Sequence, residues 1–408
     1  MIKILHTSDL HIGKRLYQEE LAEDLQLYFN WMTDLIEKEK IDVLVVSGDI
    51  FDVANPSGES RKVYFELLVK LSRLKCKVII TAGNHDSPMT LEAPKELLKE
   101  LDIHVIGSLP DKPGEMLVPV SGSQGKPEIV IAAVPYLREA DLRKHSEGET
   151  AADRAEAIRN GIVRVFEEAA AECEMKYPGI PAIAMGHLYV QGSIVSESER
   201  EIQIGNMAGL DATILTDYFQ YYALGHLHQP QDPVEGRIVY SGAPVKMSFS
   251  ESANQNRIIL LNAEGERIAA EAVPVPYFRK LVRLTGTVEQ LEKQLKDLPE
   301  EETALKTFIE LDAVEENPDP TKIAELQTLS DGFGSESAKI LKSRIRFINQ
   351  PTGTASLYDV NINIEDLKPE DVFDKKIENE NIDEDTAKML KEAFMEILDE
   401  VQQNMEER

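Results

Sequence analysis

Five short polar signatures, each following a run of apolar or β-branched residues, constrain this chain more than anything else in it. Ile2 to Thr7 runs into Asp9-x-His11, Val43 to Ser47 into Gly48-Asp49, and Val78 to Ala82 into Gly83-Asn84-His85-Asp86. Further on, Ala182 to Met185 runs into Gly186-His187, and Tyr221 to Leu224 into Gly225-His226-Leu227-His228. With Ile129 to Val134 and Ile238 to Tyr240, these runs predict strands, and amphipathic stretches such as Glu20 to Glu39 and Arg61 to Leu74 predict helices between them. Residues 1–275 therefore read as an α/β domain. Such folds bind ligands at strand ends, which is where the polar signatures fall.

Coordination is the chemistry these residue types share. Imidazole suits ions such as Mn, Fe and Zn, carboxylate suits hard divalent ions, and a mixed set with an amide oxygen fits two ions sharing a bridging carboxylate. In Asp9-x-His11 and His226-x-His228 the paired residues are two apart. On extended backbone they point the same way, so both can face one ion. Glycine before Asp49, Asn84, His187 and His226 permits tight turns or close backbone approach at each strand end. Taken singly, Gly-Asp reads as a turn, Gly-His as a loop and Gly-Asn-His-Asp as an Asn-rich turn. Together, in this order and all at strand ends, they read as one metal site.

In these signatures the chain resembles the calcineurin-like metallophosphoesterase superfamily. The stretches His6-Thr7-Ser8-Asp9-Leu10-His11-Ile12-Gly13, Gly48-Asp49-Ile50-Phe51-Asp52 and Tyr240-Ser241-Gly242-Ala243-Pro244 are similar to its branch of DNA nucleases that work with an ABC-type ATPase. The resemblance implies an α/β fold: a two-sheet β-sandwich flanked by helices, with a small α/β capping domain and a C-terminal helical tail. It implies two divalent metal ions, with Mn2+ expected. One would be held by Asp9, His11, Asp49 and His228, and the other by Asn84, His187, His226 and a bridging Asp49. His85 would be the catalytic residue rather than a ligand, contacting the scissile phosphate to stabilise the transition state or assist the leaving oxygen. Asp86 is expected to orient its loop or His85. Some more distant relatives place a second histidine near Asp52, so no strand-directing role carries over to it.

Two prolines in Pro274-Val275-Pro276 resist both helix and central strand and suit a linker. A boundary there separates a nuclease domain, 1–275, from a small α/β capping domain, 276–360. The latter is read from strand-like Arg279 to Leu284, Lys306 to Ala313 and Lys339 to Ile348, with helical Val288 to Leu298 and Thr321 to Leu329. Residues 361–408 form an acidic helical tail in which Ala387, Leu390, Phe394, Ile397, Leu398 and Val401 make one apolar stripe. That stripe suits the chain's own second domain or a partner's groove, and the resemblance favours the coiled coil of the ATPase partner. Residues 110–127, rich in Pro, Gly and Ser, are expected to be a surface loop, and Leu137 to Thr150 a loop or short helix.

Net charge narrows the function. Lys and Arg total 44 against 73 Asp and Glu, a net of -29, which argues against coating nucleic acid by bulk electrostatics. Phosphate must be held locally, and a metal cluster supplies positive charge that no count of lysines records. Lys14, Arg15, Arg61 and Lys62, with Lys339, Lys342, Arg344 and Arg346, are the basic groups placed to touch a DNA backbone. A helix surface or a solvated strand face is the plainer reading of the same residues. No Gly-x4-Gly-Lys-Ser/Thr loop occurs, so ATP control has to come from a partner. No apolar run approaches the ~18 residues of a membrane span, and Cys76 and Cys173 fit a reducing compartment. A cytoplasmic protein is expected.

The activity implied by the resemblance is DNA phosphodiester hydrolysis by a homodimer within an ATP-controlled repair complex, exonucleolytic at double-stranded ends and endonucleolytic at hairpins and single strands. Two other readings stay open: a phosphodiesterase or phosphatase acting on a non-DNA substrate, and a DNA-tethering scaffold with a dead site. The first leaves the second domain and tail unexplained. The second is disfavoured by a complete ligand set.

Overall fold

The computed structural model describes residues 1–122, 124–142, 151–196, 210–265, 267–299, 303–349 and 394. They fall into two compact units, Met1–Val282 with Glu302–Thr307, and Arg283–Glu301 with the chain from Phe308 onward. The division comes shortly after the double proline.

Two six-stranded sheets make the first unit. One runs, in spatial order, Arg267–Pro274, Arg257–Glu264, Ile2–Thr7, Val43–Ser47, Lys77–Thr81 and Ile103–Ile106. The other runs Gln231–Val234, Ile238–Tyr240, Tyr221–Gly225, Ala182–His187, Pro127–Ala133 and Leu117–Ser121. The last four strands of the first sheet are parallel, so their C-terminal ends share one edge. The same holds for the four strands from Ile238–Tyr240 to Pro127–Ala133 in the second. Parallel strands are covered on both faces, which is why Val43-Leu44-Val45-Val46 is continuously apolar rather than alternating. Val43 and Val45 join Ile131, Ile183, Met185 and Ala223 in the core between the sheets. Fully burying side chains of this size contributes about 1.5–3 kcal/mol each.

Helices complete the unit. Ala22–Glu39 buries Leu25, Tyr28, Met32 and Ile36, and the Tyr28 hydroxyl is hydrogen-bonded to Thr7 Oγ1 at 2.8 Å, tying the helix to the first strand. Gly58–Ser72 begins where Ser57 Oγ accepts the Ser60 N–H and buries Tyr64, Leu67, Leu68 and Leu71. A helix not singled out above, Ala151–Lys176, places Phe166, Ala169 and Cys173 in one cluster with Tyr222 and Leu224 of the second sheet.

The expectation of a surface loop over 110–127 is corrected. Pro113–Met116 forms a 3-10 turn, and Leu117–Ser121 is a strand paired antiparallel with Pro127–Ala133. Pro119 misled the reading, but this strand lies at the sheet edge, where a missing N–H costs no ladder bond, and Leu117, Val118 and Val120 are buried. Within Leu137 to Thr150, Glu139–Leu142 is a short helix and 143–150 lie outside the described residues.

In the second unit, Leu281–Gly286, Thr307–Glu315 and Ala338–Phe347 form a three-stranded sheet in that order. Its helices are Val288–Lys296, opened by a capping box between Thr287 and Gln290, and Pro320–Asp331, capped by Asp319 with proline in the first turn. Leu291, Leu295, Ile309, Leu311, Leu326 and Ile345 share its core. Arg344 and Arg346 do share a strand face, as their spacing predicts, and both turn to Asp312 on the neighbouring strand, at 2.9 and 2.8 Å. The helical stripe from Ala387 to Val401 lies outside the described residues, Phe394 aside. Among the described residues no helix is long and apolar enough to cross a membrane.

Candidate metal centre

The five signatures leave the C-terminal ends of parallel strands and are then cross-bonded to one another. The Asp9 N–H donates to the Gly48 carbonyl and the His11 N–H to the Asp49 carbonyl, both at 3.0 Å. The carboxylates reach further: Asp9 Oδ1 accepts the His226 N–H, and Asp49 Oδ1 accepts the His85 N–H, both at 2.9 Å. Asp9, His11, Asp49 and His226 have φ of 53, 43, 49 and 102°. Left-handed backbone at non-glycine residues costs about 1–3 kcal/mol each and persists only where the surroundings over-determine it. Glycine is required where these loops crowd. A Cβ on Gly83 would lie 2.1 Å from Asp49 Oδ1, and one on Gly225 would lie 1.9 Å from the Ser47 carbonyl.

All seven residues expected as ligands converge. His228 Nε2 is 3.1 Å from His11 Nε2, and donor atoms of Asp9, His11 and His228 lie within 4.8 Å of one another. Asn84 Oδ1 is 3.0 Å from His187 Nε2 and 3.2 Å from His226 Nδ1. Asp49 stands between the groups, its Oδ2 3.5 Å from His11 Nε2 and 3.4 Å from His187 Nε2. His85 is set slightly back, with Nε2 4.0 Å from the same oxygen.

Hydrogen bonds fix which ring atoms face inward. His85 Nδ1 lies 2.6 Å from the Asp52 carbonyl, and His187 Nδ1 lies 2.9 Å from the Ser47 carbonyl. A carbonyl only accepts, so each Nδ1 carries a proton and each Nε2 is turned to the site. Burial pushes His11 down to about 4 and His226 down to about 3, which favours the neutral, ligating ring. His187 goes the other way, to about 9: burial opposes its charge, but Asp49 and Asp9 outweigh it. Burial likewise works against an ionised Asp49, yet His187, His11 and His85 hold it well below the usual carboxylate range. Asp9, pushed up to about 6 chiefly by burial, and Asp49 have no Lys or Arg ion-pair partner among the described residues.

The donor set therefore fits a pair of divalent cations. Two buried imidazole nitrogens face each other, two more meet one amide oxygen, and two buried carboxylates have no Lys or Arg partner among the described residues. Imidazole, carboxylate and amide oxygen together suit first-row divalent ions.

Other residues support the site. Asp86, buried, accepts the N–H groups of Ile50, Phe51 and Gly83 at 3.0, 2.9 and 2.8 Å, pinning the second signature to the third. Asp52, left without a role by the sequence, places Oδ1 3.3 Å from His11 Nδ1 and 3.0 Å from Lys14 Nζ. Glu251 lies 3.4 Å from His228 Nδ1, and no signature in the sequence marked it. His6 takes no part: its ring bonds the Tyr221 hydroxyl and the Leu224 carbonyl in the core. Of the basic residues expected near DNA, Arg15 donates to the Gln18 carbonyl, Arg61 to Asn55 and Lys62 to Glu59.

The sequence profile of calcineurin-like phosphoesterases matches residues 2–230, which contain all seven candidate ligands. The chain belongs to the calcineurin-like phosphoesterase family. Within this phosphoesterase, residues 277–381 match a second profile, described as the type 5 capsule protein repressor C-terminal domain. The D component of the SbcCD nuclease from Rhodobacter capsulatus is 34% identical over 294 residues, 69% of this chain and 71% of its own length. The protein of the same name from Escherichia coli K12 is 25% identical over 402 residues, 96% of this chain and 97% of its own. The one from Bacillus subtilis is 31% identical over 289 residues, 69% and 72% respectively.

Proposed function

We propose that this phosphoesterase is the nuclease subunit of an SbcCD-type complex, a metal-dependent hydrolase of DNA phosphodiesters. The observation that carries the reading is likeness along nearly the whole chain, 96% of it, to the D component of an SbcCD nuclease, supported by buried His and Asp donors grouped closely enough to hold metal ions. Asp9, His11, Asp49 and His228 would hold one ion, and Asp49, Asn84, His187 and His226 the other, with Mn2+ as the expected metal. When bound, such a pair supplies Lewis-acid polarisation of the phosphate and a water acidic enough to act as nucleophile near neutral pH.

The chain's own groups do the remainder. His85 keeps its Nδ1 proton on the Asp52 carbonyl, so its Nε2 is the atom presented to a scissile phosphate. There it donates a hydrogen bond, or a proton to the leaving oxygen, when protonated. Asp49, fixed by the His85 N–H, keeps the proton-transferring ring and the ligands in one frame.

The remaining assignments extend the same reading. Residues 1–275 would hold the chemistry, 276–360 cap the substrate, and the 361–408 tail dock on the coiled coil of an SbcC-type ATPase. The protein would work as a cytoplasmic homodimer, cutting double-stranded ends, hairpins and single strands in DNA repair. The test is cleavage with added Mn2+ of a DNA hairpin, a mononucleotide phosphodiester and a phosphoprotein in parallel. Preference for the hairpin, lost in a His85→Ala variant, is expected; turnover confined to the small substrates would overturn the proposal.

A further inference from the structure

Two carboxylates stand behind the ligand set, and both back the same half of it. Glu251, 1% exposed, places Oε1 3.4 Å from His228 Nδ1; the same oxygen accepts from Ser196 Oγ at 3.1 Å, and Oε2 accepts the Met247 N–H at 2.8 Å. These bonds hold its carboxylate in one orientation. Asp52 places Oδ1 3.3 Å from His11 Nδ1, within reach although not aligned as a formed hydrogen bond.

The other half is built differently. His187 is backed by the neutral Ser47 carbonyl, and His226 turns its own Nδ1 inward to Asn84. A carboxylate behind an imidazole keeps the outer nitrogen protonated, aims the inner lone pair at the ion and makes the ring a stronger donor than a carbonyl does. Direct charge does not divide the halves, since donor atoms of Asp9 lie within 4.8 Å of those of Asp49 and His187 as well as of His11 and His228. The asymmetry rests on what stands behind the rings.

We infer, on the reading that these halves hold two ions, that Glu251 and Asp52 are positioning residues that make the Asp9–His11–His228 half the tighter one, so the ions load in order. The Asn84–His187–His226 half fills second and exchanges first. At limiting metal the protein then carries a single ion, held by the carboxylate-backed half.

The test is a titration of the metal-stripped full chain with Mn2+, reading free Mn2+ by its EPR signal and bound metal by elemental analysis. Two steps separated by at least about tenfold are expected. Glu251→Ala weakens the tighter step by about 10–100-fold and leaves the weaker one in place. Glu251→Gln, which keeps the shape and loses the charge, falls between, and Asp52→Asn acts on the same step. His187→Ala removes the weaker step and leaves the tighter one in place. Two ions of equal affinity, or a folded Glu251→Gln protein with both steps unaltered, would overturn the inference. Fewer than two ions per wild-type chain would overturn the dinuclear reading beneath it.

Discussion

His11 and His228 meet Nε2 to Nε2 at 3.1 Å, two buried rings 217 residues apart in the sequence facing each other with Asp9 beside them. Two nitrogens so placed cannot both present lone pairs to each other without cost. A cation between the rings would relieve this.

Metal should therefore stabilise the folded protein. At a free Mn2+ concentration one hundred times the dissociation constant, the gain is about 2.7 kcal/mol for a single site. Thermal melting with EDTA and with Mn2+ checks this: a rise of several degrees with metal is expected, and identical melting curves would show that the cluster holds no ion.

His85→Asn should separate chemistry from assembly. The ring sits 4.0 Å from the Asp49 oxygen that His11 and His187 approach at 3.5 and 3.4 Å, so its loss should leave the seven candidate ligands in place. Loss of a positioned proton donor lowers turnover by about 10²–10⁴-fold. Metal content by elemental analysis should stay at the wild-type value. If the substitution empties the site, His85 is a ligand and its assigned role is wrong.

Gly225→Ala should destabilise the nuclease unit sharply. Its Cβ would stand 1.9 Å from a backbone carbonyl oxygen of the facing sheet, which cannot rotate away as a side chain can. Overpacking of this kind costs about 1–3 kcal/mol or more. Gly58→Ala, at a helix start with nothing within 4 Å, is the control and should be neutral. Urea unfolding of the two variants distinguishes them, and equal midpoints would refute the crowding argument.

Asp312 should give the second unit an acid-sensitive component of stability. Burial opposes its ionisation, but Arg344 and Arg346 outweigh that and hold its carboxyl below the usual range. A carboxyl lowered on folding stabilises fully above its unfolded pKa, near 3.9, and loses that contribution as pH falls through the folded value. Urea midpoints followed at Ile309 and Leu311 amide signals should fall below about pH 4 in the wild type and flatten in Asp312→Asn. A variant with unchanged acid dependence would exclude the pair as the cause.

Much of this was legible in the linear order because its signals are local. Runs such as Val43 to Ser47 mark strands by composition, whereas Asp9, His11 and His226 stand on left-handed backbone past the strand ends, so their convergence does not follow from the extended-strand step of two. Pro119 shows the limit. Proline counts against a strand unless the strand is at an edge, and edge position is a property of the whole sheet. Arg344 and Arg346 show it again: the sequence offers them as basic groups for a DNA backbone, and Asp312, which pairs with both, became visible only once its strand lay alongside.

Linear order alone settles which residue types stand at which strand ends, and with them the class of chemistry, because coordination depends on donor atoms and glycine-permitted turns that short segments carry. Folding in three dimensions settles which of those donors come together, which nitrogen of His85 and His187 is held by a carbonyl, and that Glu251 and Asp52 stand behind His228 and His11. Those are relations between segments far apart along the chain, set by how two sheets stack, and no local pattern encodes a distance across that stack.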